Sequence, residues 1–175
     1  MSEKQKGFSL IELLIVVAIV LIIAAIAVPS LIRSRMAANE ASAAASIRLM
    51  NTAASTYNTI FGNGFPPSMA AVGTTGANPL SCTNAELLDS VLTAGTKSGY
   101  TFVLVPGATQ LTGTSSSCAA GFGYSDGYVV TATPIGATTG KRTFCSDASG
   151  EIRVNPASIA AYSTPNCTDT TILSN

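Results

Sequence analysis

The residue types that could do chemistry are few and unevenly placed. Histidine and tryptophan are absent, which removes the commonest general base and a favoured zinc ligand. Four cysteines, Cys82, Cys118, Cys145 and Cys167, stand well apart with no Cys-x-x-Cys pair. Behind a membrane-length segment, an even and well-spaced set reads as two disulfides in an oxidising compartment rather than as a metal site. Gly123-Tyr124-Ser125-Asp126-Gly127 fits the Gly-x-Ser-x-Gly string, but that nucleophile elbow needs a strand-to-helix turn and a base. The stretch is expected to be a loop entering a strand at Tyr128, and no enzyme is expected. Asp126, Asp147 and Glu151 could lend oxygens to a calcium ion. Turn formation is the commoner use of such aspartates, so no metal and no cofactor are assigned.

One carboxylate asks for its own explanation. Phe8 to Val28 reads FSLIELLIVVAIVLIIAAIAV, and at about 1.5 Å per residue it can cross a hydrocarbon core of about 30 Å. Glu12 lies in its second turn. A buried unpaired carboxylate is costly and either protonates or finds a partner. The simpler alternative is that Glu12 favours the positive N-terminal end of the helix. A surface effect of about 1 kcal/mol or less does not account for an acid inside a membrane-length run. Ahead of the run stands a polar tag, Met1 to Gly7, with Lys4 and Lys6. A secretory signal cut near Ala24 to Ala27 is the alternative, but the run is longer than a signal core and Glu12 is foreign to one.

Lys6-Gly7-Phe8-Ser9-Leu10-Ile11-Glu12-Leu13-Leu14, continuing to Pro29, resembles the N-terminal signature of type IV pilins and type II secretion pseudopilins. The resemblance covers about 25 residues and is specific; the rest of the chain shares only the general plan. It implies that a membrane peptidase cuts between Gly7 and Phe8 and methylates the new Phe8 amine. It also implies that Glu12 is the glutamate at mature position five. The amine of a neighbouring subunit is then the natural partner for Glu12, and their pairing would set the axial stagger between packed subunits.

The elements that must position these groups follow from pattern. Pro29 has no N–H to donate toward Ala25 and crowds that turn, so a kink or weak point is expected, or the end of the span. From Ser30 to Phe61 the chain turns amphipathic, with Ile47, Met50, Ala54, Tyr57 and Phe61 in one stripe. The alanine-rich segment Ala37 to Ala45 favours helix. Gly62, Gly64 and Pro66-Pro67 end it. One helix from Phe8 to Phe61 would be roughly 80 Å long, half in lipid and half against a small head. Lys4 and Lys6 argue for a cytoplasmic N-terminus, while Arg33 and Arg35 just past the span nearly cancel that bias. The cysteines and the resemblance place the head outside.

Beyond the stem, residues 62–82 read as a packed surface loop. Thr83-Asn84-Ala85-Glu86 has capping-box spacing ahead of Leu87, Leu88, Val91 and Leu92, predicting about three turns of helix stopped by Gly95. Strands are expected at Tyr100 to Val105, Tyr128 to Thr133, Arg142 to Cys145 and Glu151 to Val154, the last two joined by a turn at Ser146 to Gly150. Gly107 to Gly127 reads as a long exposed loop and Asn155 to Asn175 as an irregular tail. Four cysteines allow three connectivities. Sequential pairing, Cys82 with Cys118 and Cys145 with Cys167, would pin both irregular regions, and the second pair resembles the disulfide-bounded C-terminal region of many pilins.

Only 10% of the 175 residues are charged, and nine basic residues balance nine acidic ones. Nucleic-acid binding by phosphate neutralisation has little support. The expected fold class is α+β and pilin-like: leader 1–7, filament-core or membrane helix 8–29, amphipathic helix 30–61, and an antiparallel head at 62–175. The expected function is a structural subunit of a type IV pilus-like filament. Its partners would be further copies of itself, a prepilin peptidase, the inner-membrane assembly machinery and lipid before assembly. Its place would be the inner membrane with the head in the periplasm, then an extracellular pilus. The alternatives are a pseudopilin of a type II secretion system, in a periplasmic pseudopilus, and a single-span periplasmic binding module.

Overall fold

A computed structural model describes residues 8–74, 80–112, 118, 123–155, 167 and 171–172. The chain forms two compact units, Met1–Arg35 and Met36–Asn175. In the first, helix α1 (Leu10–Phe61) begins, and its side chains from Leu10 to Ile32 are exposed or nearly so. Among the described residues it is the one helix long and apolar enough to cross a membrane. It runs unbroken through Pro29.

In the second unit α1 continues to Phe61, and its buried face carries Ala43, Ile47, Met50, Ala54, Tyr57 and Phe61. The expected stripe is therefore the helix side of the core. Burial of that face, more than alanine propensity, holds this half of the helix in place. Gly62, at φ 70°, takes the left-handed conformation that ends it.

Two short helices follow, α2 (Met69–Val72) and α3 (Ser90–Thr93). The first lies where only a loop is expected, capped by the Ser68 hydroxyl accepting from the Ala71 amide at 3.3 Å. The three-turn helix expected from Thr83 does not form. The amides of Ala85, Leu87 and Leu88 donate to Ala71 and Val72 carbonyls at 2.9 Å, and Glu86 sits at φ 52°. Tertiary hydrogen bonds thus take the donors that a helix would have used. Asp89 is the cap instead, its Oδ1 accepting from the Leu92 amide at 2.7 Å. Gly95, at φ 79°, stops the helix as expected.

The sheet strands are β1 (Thr96–Lys97), β2 (Tyr100–Pro106), β5 (Tyr128–Pro134), β6 (Thr143–Asp147), β7 (Ile152–Asn155) and β8 (Thr171–Ile172). They run in the order β1-β2-β5-β6-β7-β8, each pair antiparallel. The four expected strands are all present, and the β6–β7 turn closes with the Gly150 amide donating to Asp147 O at 2.9 Å. Tyr100, Phe102 and Leu104 alternate inward along β2, and Val130, Phe144, Ile152 and Val154 join them against the buried face of α1. Between β2 and β5, the expected exposed loop instead holds a second sheet, β3 (Gln110–Thr112) against β4 (Gly123–Ser125). Tyr124 drives this, fully buried in the core beside Tyr57 at 6.2 Å between ring centroids. In the tail, β8 adds a sixth strand; residues 156–166 lie outside the described residues.

Candidate functional site

Phe8 and Ser9 precede α1, and Gly7 lies outside the described residues. The Ser9 carbonyl accepts from the amides of Glu12 at 3.1 Å and Leu13 at 3.2 Å, which opens the first turn. Glu12 follows Phe8 by four residues, one helical turn or about 6 Å along the axis. Phe8 is 75% exposed, and Glu12 is exposed too. Among the described residues, no hydrogen bond or ion pair reaches the Glu12 carboxylate. Glu12, flanked by exposed Leu10, Ile11, Leu13 and Leu14, is thus a carboxyl group without a partner among the described residues on an apolar stretch of helix. Pro29 lies further along the same helix, where it leaves the Ala25 carbonyl without its usual donor.

The cysteines pair sequentially, Cys82 with Cys118 and Cys145 with Cys167, with Cα separations of 5.5 and 5.8 Å. The first bond lies in the core. The Tyr57 hydroxyl donates to the Cys82 carbonyl at 2.7 Å, and the Cys118 sulfur lies 2.6 Å from the Tyr124 hydroxyl. The second lies on the other face of the sheet, where Val129, Cys145 and Cys167 make a small separate cluster. That cover explains why β5 is buried on both faces through most of its length.

The residues set aside as an elbow and as calcium oxygens are also placed. Ser125 ends a strand rather than a strand-to-helix turn, is fully buried, and donates to the Gly107 carbonyl at 3.3 Å. Asp126 and Asp147 line one cavity of about 360 Å³ with Gly107, Ala108, Tyr128 and Ser149. Each accepts a backbone hydrogen bond: Asp126 Oδ1 from the Thr109 amide at 3.4 Å, 17 residues earlier, and Asp147 Oδ1 from the Ser149 amide at 2.9 Å within its own turn. Glu151 instead pairs with Arg153 at 3.2 Å. Among the described residues, no three metal-ligating side chains gather.

Two polar residues of α1 that sequence reasoning passed over hold the head onto the helix. Glu40 and Asn51 fall in register with the apolar stripe, seven residues before and four after Ile47, which was the available signal. Glu40 is buried, accepts from the amides of Lys141 and Arg142 at 2.9 and 3.3 Å, and pairs with the Arg142 guanidinium at 2.6 Å. Burial pushes its carboxyl up, but these donors outweigh it and hold it below the ordinary value of 4.5. Asn51 donates to Ser146 Oγ at 2.8 Å and accepts from the Tyr128 hydroxyl at 3.3 Å. Burial pushes Tyr100 and Tyr128 up to about 12, and raises Tyr57 as well.

Residues 3–28 match the family model of the prokaryotic N-terminal methylation motif. No curated protein matches the chain, and no solved structure does. That motif is the prepilin signature, and it covers Gly7, Phe8 and Glu12. The chain thus carries the prepilin-type methylation motif at its N-terminal segment, on an α+β, pilin-like fold fastened by two disulfides.

Proposed function

We propose that the chain is a structural subunit of a type IV pilus-like filament. A prepilin peptidase cuts it between Gly7 and Phe8 and methylates the Phe8 amine. Subunits then polymerise through the apolar N-terminal helix. The observation that carries this reading is the Glu12 carboxylate, unpartnered among the described residues on a helix whose other side chains from Leu10 to Ile32 are apolar or small. An anion in that setting is costly until a cation meets it, and the Phe8 amine of a neighbouring subunit offset by about one helical turn is that cation. Pro29 weakens the helix where it leaves the apolar span, which lets the stem adjust on entering the filament. Before assembly the precursor is a single-pass inner-membrane protein with its disulfide-bonded head in the periplasm. The assembly machinery then moves it into an extracellular filament. The role we assign is structural: the sequence has no histidine, and Ser125 of the Gly-x-Ser-x-Gly string is buried at the end of a strand.

Mass spectrometry of the mature chain tests the processing step. Loss of residues 1–7 with one methyl added at Phe8 is expected, and an intact Met1 or a cut near Ala27 overturns it. Imaging of filaments with E12A tests the assembly step: filaments containing this chain should be lost or sharply reduced, and normal assembly would sink the pairing. A type II secretion pseudopilus uses the same processing chemistry. Where the filaments lie, on the cell surface or within the periplasm, separates the two.

A further inference from the structure

Arg33 and Arg35 end the first unit, immediately after the apolar run, and both are exposed. No acidic residue occurs between Glu12 and Glu40. Glu12 is about 32 Å away from Arg33 along the helix at 1.5 Å per residue, and Glu40 is committed to Arg142 and to the 141–142 amides. Among the described residues, neither arginine has an ion-pair partner. Ser34 between them is satisfied locally, its hydroxyl donating to the Ser30 carbonyl at 3.1 Å.

Two further facts choose the partner. Residues two apart on an α-helix point about 200° apart around its axis, so Arg33 and Arg35 reach out on nearly opposite sides. One protein surface laid against one side of the helix would serve one arginine and leave the other. A layer that surrounds the helix serves both. The uncharged stretch from Leu13 to Ile32 is also about 30 Å long at 1.5 Å per residue, the thickness of a hydrocarbon core. With that stretch in the core, the two arginines stand at the interface on the head side, and Glu12 lies just inside the opposite edge of the hydrocarbon. Guanidinium forks suit phosphate oxygens, and arginine stems reach along apolar surface to place them.

We propose that Arg33 and Arg35 form a collar that binds the phosphates of lipid headgroups in the leaflet facing the head domain, fixing the depth of the span in the membrane. The proposal rests on the membrane-held precursor described above. It also accounts for positive charge on the side of the span where the positive-inside rule does not ask for it.

The test uses the full chain in vesicles of phosphatidylethanolamine and phosphatidylglycerol, with arginine and leucine labelled with carbon-13, studied by solid-state NMR. Guanidinium carbons should lose signal on recoupling to lipid phosphorus, and the R33Q/R35Q double variant should abolish that loss while its head spectrum is unchanged. Leucine methyls in contact with acyl chains report insertion independently. Acyl contact without phosphorus recoupling, or recoupling that survives the double variant, overturns the collar alone. Guanidinium contact with carboxyls of a second copy in place of phosphate overturns it equally. Absence of acyl contact overturns the membrane reading, and the collar with it.

Discussion

The Nε of Arg142 stands 2.6 Å from Oε2 of Glu40, while Oε1 of the same carboxylate takes the Lys141 and Arg142 amides at 2.9 and 3.3 Å. A single side chain of α1 thereby fastens the connection between β5 and β6. E40A removes all three bonds and leaves two amides without their acceptor. It should lower the unfolding free energy by about 2 kcal/mol. The half-exposed Arg142 limits the loss, because its charge stays hydrated. E40Q keeps an acceptor oxygen and should cost about half as much. Urea unfolding of the full chain in detergent measures both. The pH dependence has a definite sign. Glu40 is held below 4.5 in the folded chain, so its contribution is full above that value and fades as pH falls through the depressed folded-state pKa. Wild-type stability should drop in that acid window more steeply than E40Q.

Tyrosine ionisation offers a check from the alkaline side. Burial raises Tyr100 and Tyr128 to about 12 from 10, and Tyr57 also rises. A raised tyrosine favours the protonated folded state. Its stabilisation is present below pH 10 and disappears as pH rises through about 12. Ultraviolet titration of the folded chain should show these tyrosinates only near the alkaline unfolding step. In denaturant all should titrate near the ordinary value of about 10.

Gly140 packs against the Tyr100 ring, and a methyl group there would run into the Tyr100 hydroxyl. That hydroxyl donates to the Arg142 carbonyl at 2.9 Å, so the clash would reach the segment that Glu40 holds. G140A should destabilise by about 2 kcal/mol, within the range for overpacking. G136A, in the same connection with open space around it, should stay within about 0.5 kcal/mol of wild type. Thermal melts of the two variants side by side make the comparison.

The disulfides should be separable by what they protect. Each closes a loop of a few tens of residues, and its removal should cost about 3 kcal/mol through the unfolded chain. C145S/C167S releases the cover on Val129, so hydrogen exchange along β5 should quicken. C82S/C118S acts instead at the Tyr57 and Tyr124 contacts, and faster exchange should appear in β3 and β4. Exchange mass spectrometry reads the two patterns.

The sequence by itself determined the helix, the stripe at Ile47, Met50, Ala54, Tyr57 and Phe61, the four main strands and the β6–β7 turn. Those are local or periodic features, and burial on one face imposes a period that survives in one dimension. The N-terminal motif was equally legible, because its chemistry depends on residues adjacent along the chain. Tertiary structure decided the rest. Thr83 lost its helix because the amides of Ala85, Leu87 and Leu88 found carbonyls at Ala71 and Val72, a choice that no local propensity encodes. The Gly- and Ser-rich stretch from Gly107 gained β3 and β4 because Tyr124 could be buried beside Tyr57, a partner far away in sequence. Glu40 and Asn51 share the register of the apolar stripe, but their roles arise only in the fold, where the β5–β6 connection supplies donors to the carboxylate and the sheet supplies partners to the amide. Periodicity tells which way a side chain faces, but only the fold supplies what it meets there.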